Sequence, residues 1–153
     1  MSLGLALHLP EPPTINAMLG LARKKTRRGP GGMWMRTAQS KYWVEQQDYQ
    51  LAVRAELACA LGLLARAGHR LPPQPWSRWH IVAAHFRVHG RRDPLERAAG
   101  LKWAVDALVE AALVVDDSDD ELAPPPPTTQ EVARRDRGVT LTIAPGWPEA
   151  LGA

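Results

Sequence analysis

The stretch from Arg91 to Asp117, RRDPLERAAGLKWAVDALVEAALVVDD, constrains this chain more than any other. A strand-like segment, Ser77 to His89, ends at Gly90 and delivers Arg91, Arg92 and Asp93. A helical pattern follows, with Leu101, Val105, Leu108 and Ala112 on one face, and it runs to just before the acidic pair Asp116 and Asp117. Residues 94–99 have two readings. Either Asp93 caps a helix that begins at Pro94, with Glu96 at the third helical position, or these residues stay extended and the helix starts near Gly100. Lys102 and Asp106, four apart, suit a surface pair. Carboxylates at both ends of a helical unit, with a lysine between them, are also what Mg²⁺-dependent phosphodiester chemistry needs.

The remaining elements follow from pattern and punctuation. Leu3 to Leu9 reads as a first strand closed by Pro10, and Pro12-Pro13 enforces an extended lead to Thr14 and Asn16. Leu19 to Met35 is a loop holding Lys24, Lys25, Arg27, Arg28, a Gly-Pro-Gly-Gly run and Trp34. Basic side chains there can neutralise phosphates, and the indole can stack on an unpaired base; a solvated loop explains the same residues. Ala38 to Ala67 reads as one long helix, with Thr37 at its N-cap, Leu57, Leu61 and Leu64 as a buried stripe, and Gly68 as its stop. Its wide apolar face over residues 51–65 also suits a second subunit. The second strand presents His80, Val82, Ala84, Phe86 and Val88 to the core, and His85 and His89 on its other face read as surface residues. Glu121 to Ala123 reads as a short strand before the proline spacer 124–127, and Gly138 to Pro145 as the last strand. The order is β-α-β-α-β-β: an α/β domain with one small mixed sheet and two main helices.

Composition limits the function classes. The chain has 153 residues, enough for one domain with its own core, and a formal net charge of +3. Six basic residues and no acid lie between Arg23 and Arg36, and seven acids and no base between Asp106 and Glu121, Lys102 lying outside that span. Cys59 is the only cysteine, so neither an intrachain disulfide nor a cysteine zinc site is expected, and in an apolar helical run it reads as a small buried hydrophobe. Met1 to Leu9 lacks a basic n-region and no apolar run approaches a membrane span, which sets the cytoplasm as the default compartment.

The Arg91–Asp117 stretch resembles the core of RusA-like Holliday junction resolvases, particularly phage and prophage ones, which read R-D-P-D-N-L-x-P-T-x-K-x-x-x-D-G-L-x-D-A-G-V-x-x-D-D. Without a gap, the chain matches at Arg92, Asp93, Pro94, Lys102, Asp106, Leu108, Ala111, Asp116 and Asp117. The opening Leu9-Pro10-Glu11-Pro12-Pro13-Thr14-Ile15-Asn16 is similar to the family's L-P-x-P-P-S/T-x-N. The chain departs at Leu95, where the family has its second acid, at Glu96, where it has Asn, and at Ala99, where it has a second proline. The resemblance implies a single RusA-like domain over residues 1–145 with a tail at 146–153, acting as a homodimer in DNA recombination and repair. It implies a structure-selective endonuclease that uses Mg²⁺, with Mn²⁺ as a substitute, to nick a four-way DNA junction symmetrically. Asp93 and Asp117 would be metal ligands, with Asp116 and Glu96 as neighbours or substitutes, and Lys102 would meet the scissile phosphate. Arg91, Arg92, Asn16 and the basic loop would contact DNA. Because leucine cannot bind Mg²⁺, Leu95 raises a second expectation: a catalytically inactive relative that binds branched DNA or a protein partner. A third reading, independent of the resemblance, is an adaptor whose Ser118-centred acidic loop is a solvated surface.

Overall fold

A computed structural model describes residues 4–14, 16–17 and 38–148. The basic loop with Lys24, Lys25, Arg27, Arg28 and Trp34, the Thr37 cap and the last five residues lie outside the described residues. The elements are β1 (Leu5–Leu9), α1 (Ala38–Arg66), β2 (Trp79–Val88), α2 (Pro94–Glu110), β3 (Thr129–Val132) and β4 (Gly138–Pro145). The expected order β-α-β-α-β-β and the small mixed sheet are both present.

The strands lie in the order β1-β4-β2-β3. β4 runs antiparallel to both β1 and β2, whereas β3 runs parallel to β2. A parallel neighbour requires a crossover, and α2 supplies it. One face of the sheet is apolar and packs with the helices into a single core that includes Leu5, Leu7, Trp79, Phe86, Leu108, Leu141 and Ile143. α1 meets α2 through Trp103, against which Tyr42 and Tyr49 pack edge-on at 5.5 and 5.7 Å between ring centres. Burial pushes the Tyr49 phenol well above its usual range, and its hydroxyl donates to the Pro10 carbonyl at 3.3 Å. No described helix is long and apolar enough to cross a membrane.

Four expectations require correction. Strict alternation along β2 puts Val82 in the core, but a bulge between Ile81 and Ala83 adds a residue to this strand. The parity therefore switches: Trp79 and Ile81 are buried before the bulge, Ala84, Phe86 and Val88 after it, and Val82 is exposed. The third strand is Thr129–Val132 rather than 121–123. Leu122 makes only an isolated bridge to Trp79, and the prolines that follow have no N–H for a ladder, so pairing with β2 resumes beyond them. Cys59 is exposed: two residues past buried Leu57, it is turned about 200° around the helix.

The fourth correction concerns where α2 stops. It ends at Glu110, five residues earlier than the apolar run suggests, because the chain closes on itself there. The N–H of Ala112 donates to the Val109 carbonyl at 3.0 Å and that of Leu113 to the Leu108 carbonyl at 3.1 Å. This is a Schellman closure, with Leu113 buried behind it. α1 closes in the same way, Gly68 donating to Ala65 and His69 to Leu64. Gly68 takes its left-handed turn (φ 81°) without a Cβ, whereas Ala112 occupies the equivalent position at φ 57° with one. Substituting Ala112→Gly should therefore stabilise the protein by about 1 kcal/mol, read as a rise of roughly 2–4 °C in the thermal midpoint. The same change at exposed Ala98, inside α2, should lower it.

Candidate functional site

At its first turn α2 adopts the capped form. Asp93 has an extended backbone (φ −71°, ψ 162°), its Oδ1 accepts the Glu96 N–H at 2.8 Å, and Pro94 opens the helix. Asp93 and Glu96 are thus brought together as cap and capped residue. Leu95, the departure from the RusA-like pattern, is 78% exposed beside them.

Further along the same helix, Lys102 gathers the acids. Its Nζ lies 2.8 Å from Asp106 Oδ1 and also bonds Asp117 Oδ2, from fifteen residues further on. Asp117 in turn donates its N–H to Asp116 Oδ1 at 2.9 Å. Two tryptophans before and at the start of β2 bring this loop back against α2. Trp76 exchanges backbone bonds with Leu113 and Val115 at 2.8 and 2.9 Å, and the buried Trp79 indole donates to the Asp116 carbonyl at 2.9 Å. A buried indole N–H needs an acceptor, and here the acceptor is the acidic pair's own backbone.

The electrostatics follow from these contacts. Hydrogen bonds that the Lys102 ammonium donates to Asp106 and then to Asp117 hold it above its ordinary pKa, and the latter bond holds the Asp117 carboxyl below its own. Asp106, not Asp93, shares the ammonium with Asp117. Helical rise sets Asp93 about 13 Å along the axis from Lys102 and about half a turn around it. Asp93 and Asp117 have no common hydrogen-bond partner among the described residues.

Among the described residues no three His, Cys, Asp or Glu side chains form a group that could hold a metal ion. Two carboxylates do converge, Asp106 and Asp117, and the cation between them is the ammonium of Lys102. Hard oxygen donors around a cation fit Mg²⁺ in kind, and Mg²⁺ keeps several waters and uses few protein ligands.

The other expected contacts divide. Arg91 is exposed. Arg92 is largely buried, its guanidinium bonded to Glu11 and to the Pro12 carbonyl and its backbone N–H to Gln130 Oε1 at 3.0 Å. Arg97, which the sequence pattern did not single out, ties this corner together. It donates to Thr128 Oγ1 at 2.7 Å, to the Arg92 carbonyl at 2.6 Å and to Gln130 Oε1 at 3.2 Å. Asn16 is exposed in a short turn after Thr14. His85 bonds Thr129 Oγ1 at 2.8 Å, and His89 is exposed. The sequence reading also passed over Arg134, Arg135 and Arg137, a basic run visible just before β4. No known family model and no curated protein matches the chain.

The ion pair gives the stability a sign in acid. Asp117 titrates lower in the folded chain than the ordinary carboxylate value of 3.8. Its contribution is therefore complete above that value and is lost as pH falls through the folded pKa. For a pair this exposed it is worth at most about 1 kcal/mol. Asp117→Asn should lower the thermal midpoint near pH 6, and the difference between the two proteins should shrink as the pH falls below 3.8. Parallel midpoint curves across that range would mean the pair adds nothing.

Proposed function

We propose that this chain is a RusA-like, Mg²⁺-dependent endonuclease of four-way DNA junctions that nicks in pairs as a homodimer. The observation that supports it most is the contact between Lys102 and Asp117. The resemblance assigns one to the scissile phosphate and the other to the metal, and two residues fifteen apart, with a helix end and a turn between them, form one ion pair. Lys102 is more than half exposed, so its flexible stem allows the ammonium to leave the carboxylates for a phosphate. Bound Mg²⁺ supplies an activated water and neutralises charge on phosphorus and leaving oxygen. Asp117, with Asp116 beside it, would be its ligand here; Asp93 and Glu96, which the resemblance adds, stand at the N-terminus of α2 as helix cap and capped residue, away from Lys102. Arg91 is free to meet a flanking phosphate.

Homodimerisation is supported by Trp43, Val44, Leu51 and Leu63, large apolar side chains exposed along α1. Paired nicking requires two sites related by a two-fold axis. Light scattering at micromolar concentration should give twice the chain mass of 16.8 kDa; the single mass would rule the dimer out.

Leu95 favours a second reading, a protein that binds branched DNA or a protein partner without cutting. It stands exposed where the family's acid would be, and one Asp93 oxygen is engaged as a helix cap. A nicking assay on a synthetic four-way junction separates the two. The endonuclease reading expects slow cleavage that needs Mg²⁺ or Mn²⁺, its loss in Asp117→Asn, and faster cleavage in Leu95→Asp as an oxygen ligand is restored. Junction binding without cleavage, in the native chain and in Leu95→Asp alike, would establish the second reading.

A further inference from the structure

A different set of charges gathers at one end of the sheet. Leu9 pairs with Val139, Arg87 with Gly138 and Val88 with Val132, so residues 10–14, 89–93 and 133–137 all leave the sheet at the same end. The last of these segments is the β3–β4 turn, Ala133-Arg134-Arg135-Asp136-Arg137. It is firmly anchored. Arg87 donates from Nε to the Asp136 carbonyl at 3.0 Å and from Nη1 to Thr140 Oγ1 at 2.6 Å. Asp136 takes the left-handed conformation that turns the chain (φ 54°). At the exit a Cβ on Gly138 would lie 2.4 Å from the Leu9 carbonyl oxygen, so β4 passes β1 there only with glycine.

The guanidinium groups at this end outnumber the carboxylates. Arg87, Arg91, Arg92, Arg134, Arg135 and Arg137 face Glu11, Asp93, Glu131 and Asp136. Glu11 lies between two of them, bonded to Arg92 and 3.8 Å from Arg137, and Asp93 is engaged with its own helix. Arg91, Arg134 and Arg135 are exposed and form no ion pair with any described residue. Open clefts border the turn region: one of about 590 Å³ beside His8, Glu56, Arg87, Asp136 and Arg137, and one of about 460 Å³ beside Arg91, Arg92 and Arg97. Guanidinium groups on a braced turn are suited to phosphate oxygens, which they grip in pairs.

We infer that the β3–β4 turn, through Arg134 and Arg135 with Arg91 alongside, is a contact surface for the phosphate backbone of nucleic acid. It rests on the DNA reading above and adds a second surface, separate from the Lys102–Asp117 pair. Such contacts set register on the duplex and carry no sequence information.

The test is fluorescence anisotropy of the full chain on a labelled four-way junction and on a linear duplex, across a salt series. Arg134→Ala/Arg135→Ala should reduce the slope of log affinity against log salt by about 1.8, since each lost contact removes about 0.9. It should weaken binding roughly 10-fold or more near physiological salt, with an unchanged thermal midpoint. Arg134→Lys/Arg135→Lys should keep the slope. Weakened binding to both DNAs, with no junction preference in the native chain, supports the surface while removing the junction reading. Junction preference with an unaltered slope in the alanine variant overturns the surface alone. A native chain that binds neither DNA at low salt overturns both.

Discussion

Trp79 holds the acidic loop in place, and the geometry of the candidate site depends on it. All three of its polar groups serve one segment. Its backbone N–H donates to the Glu121 carbonyl at 2.7 Å, its carbonyl accepts from Ala123 at 3.0 Å, and its indole donates to the Asp116 carbonyl at 2.9 Å. The ring itself is fully buried. A buried donor left without a partner costs about 1–3 kcal/mol, so the loop cannot drift without exposing the ring or orphaning its N–H. Asp117 owes its place over Lys102 to this arrangement. Residues that follow a helix by several positions would otherwise have no fixed relation to its middle.

α2 then separates two kinds of electrostatics. Toward its C-terminal half one ammonium, that of Lys102, sits between the two carboxylates of Asp106 and Asp117, a compact arrangement that keeps a net negative charge. At its N-terminus the β2–α2 connection and the β3–β4 turn bring arginines together, and Glu11 and Asp93 are already engaged there. On the function proposed above, the first arrangement would meet a hard cation and the reacting phosphate, and the second the phosphates on either side of it. Both depend on the parallel pairing of β2 with β3, since the crossover that this pairing demands is α2 itself.

Legibility differed by the range of the interaction. The elements carried by local pattern were readable: β4 with its alternating Val139, Leu141 and Ile143, α1 with its Gly68 stop, and α2 with its apolar face. Lys102 and the acidic pair were readable as candidates through type and spacing. Beyond the pattern's reach were the bulge that turns Val82 outward, the strand at 129–132 and the Ala112 closure. A bulge is set by the partner strand's register, an edge strand by the space beside β2, and a left-handed alanine by the burial of Leu113 behind it.

By itself the sequence determined the two main helices, the strands β1, β2 and β4 in their order, and the residues able to carry charge chemistry, because propensity, punctuation and side-chain type act within a few residues. Tertiary structure alone decided which charges meet. It gave Lys102 to Asp106 and Asp117 and left Asp93 to its helix cap. It collected the arginines of three separate segments at one end of the sheet. Contacts between residues far apart in the chain are fixed by strand register and by where buried tryptophans find their acceptors, and neither is written in any one stretch of sequence.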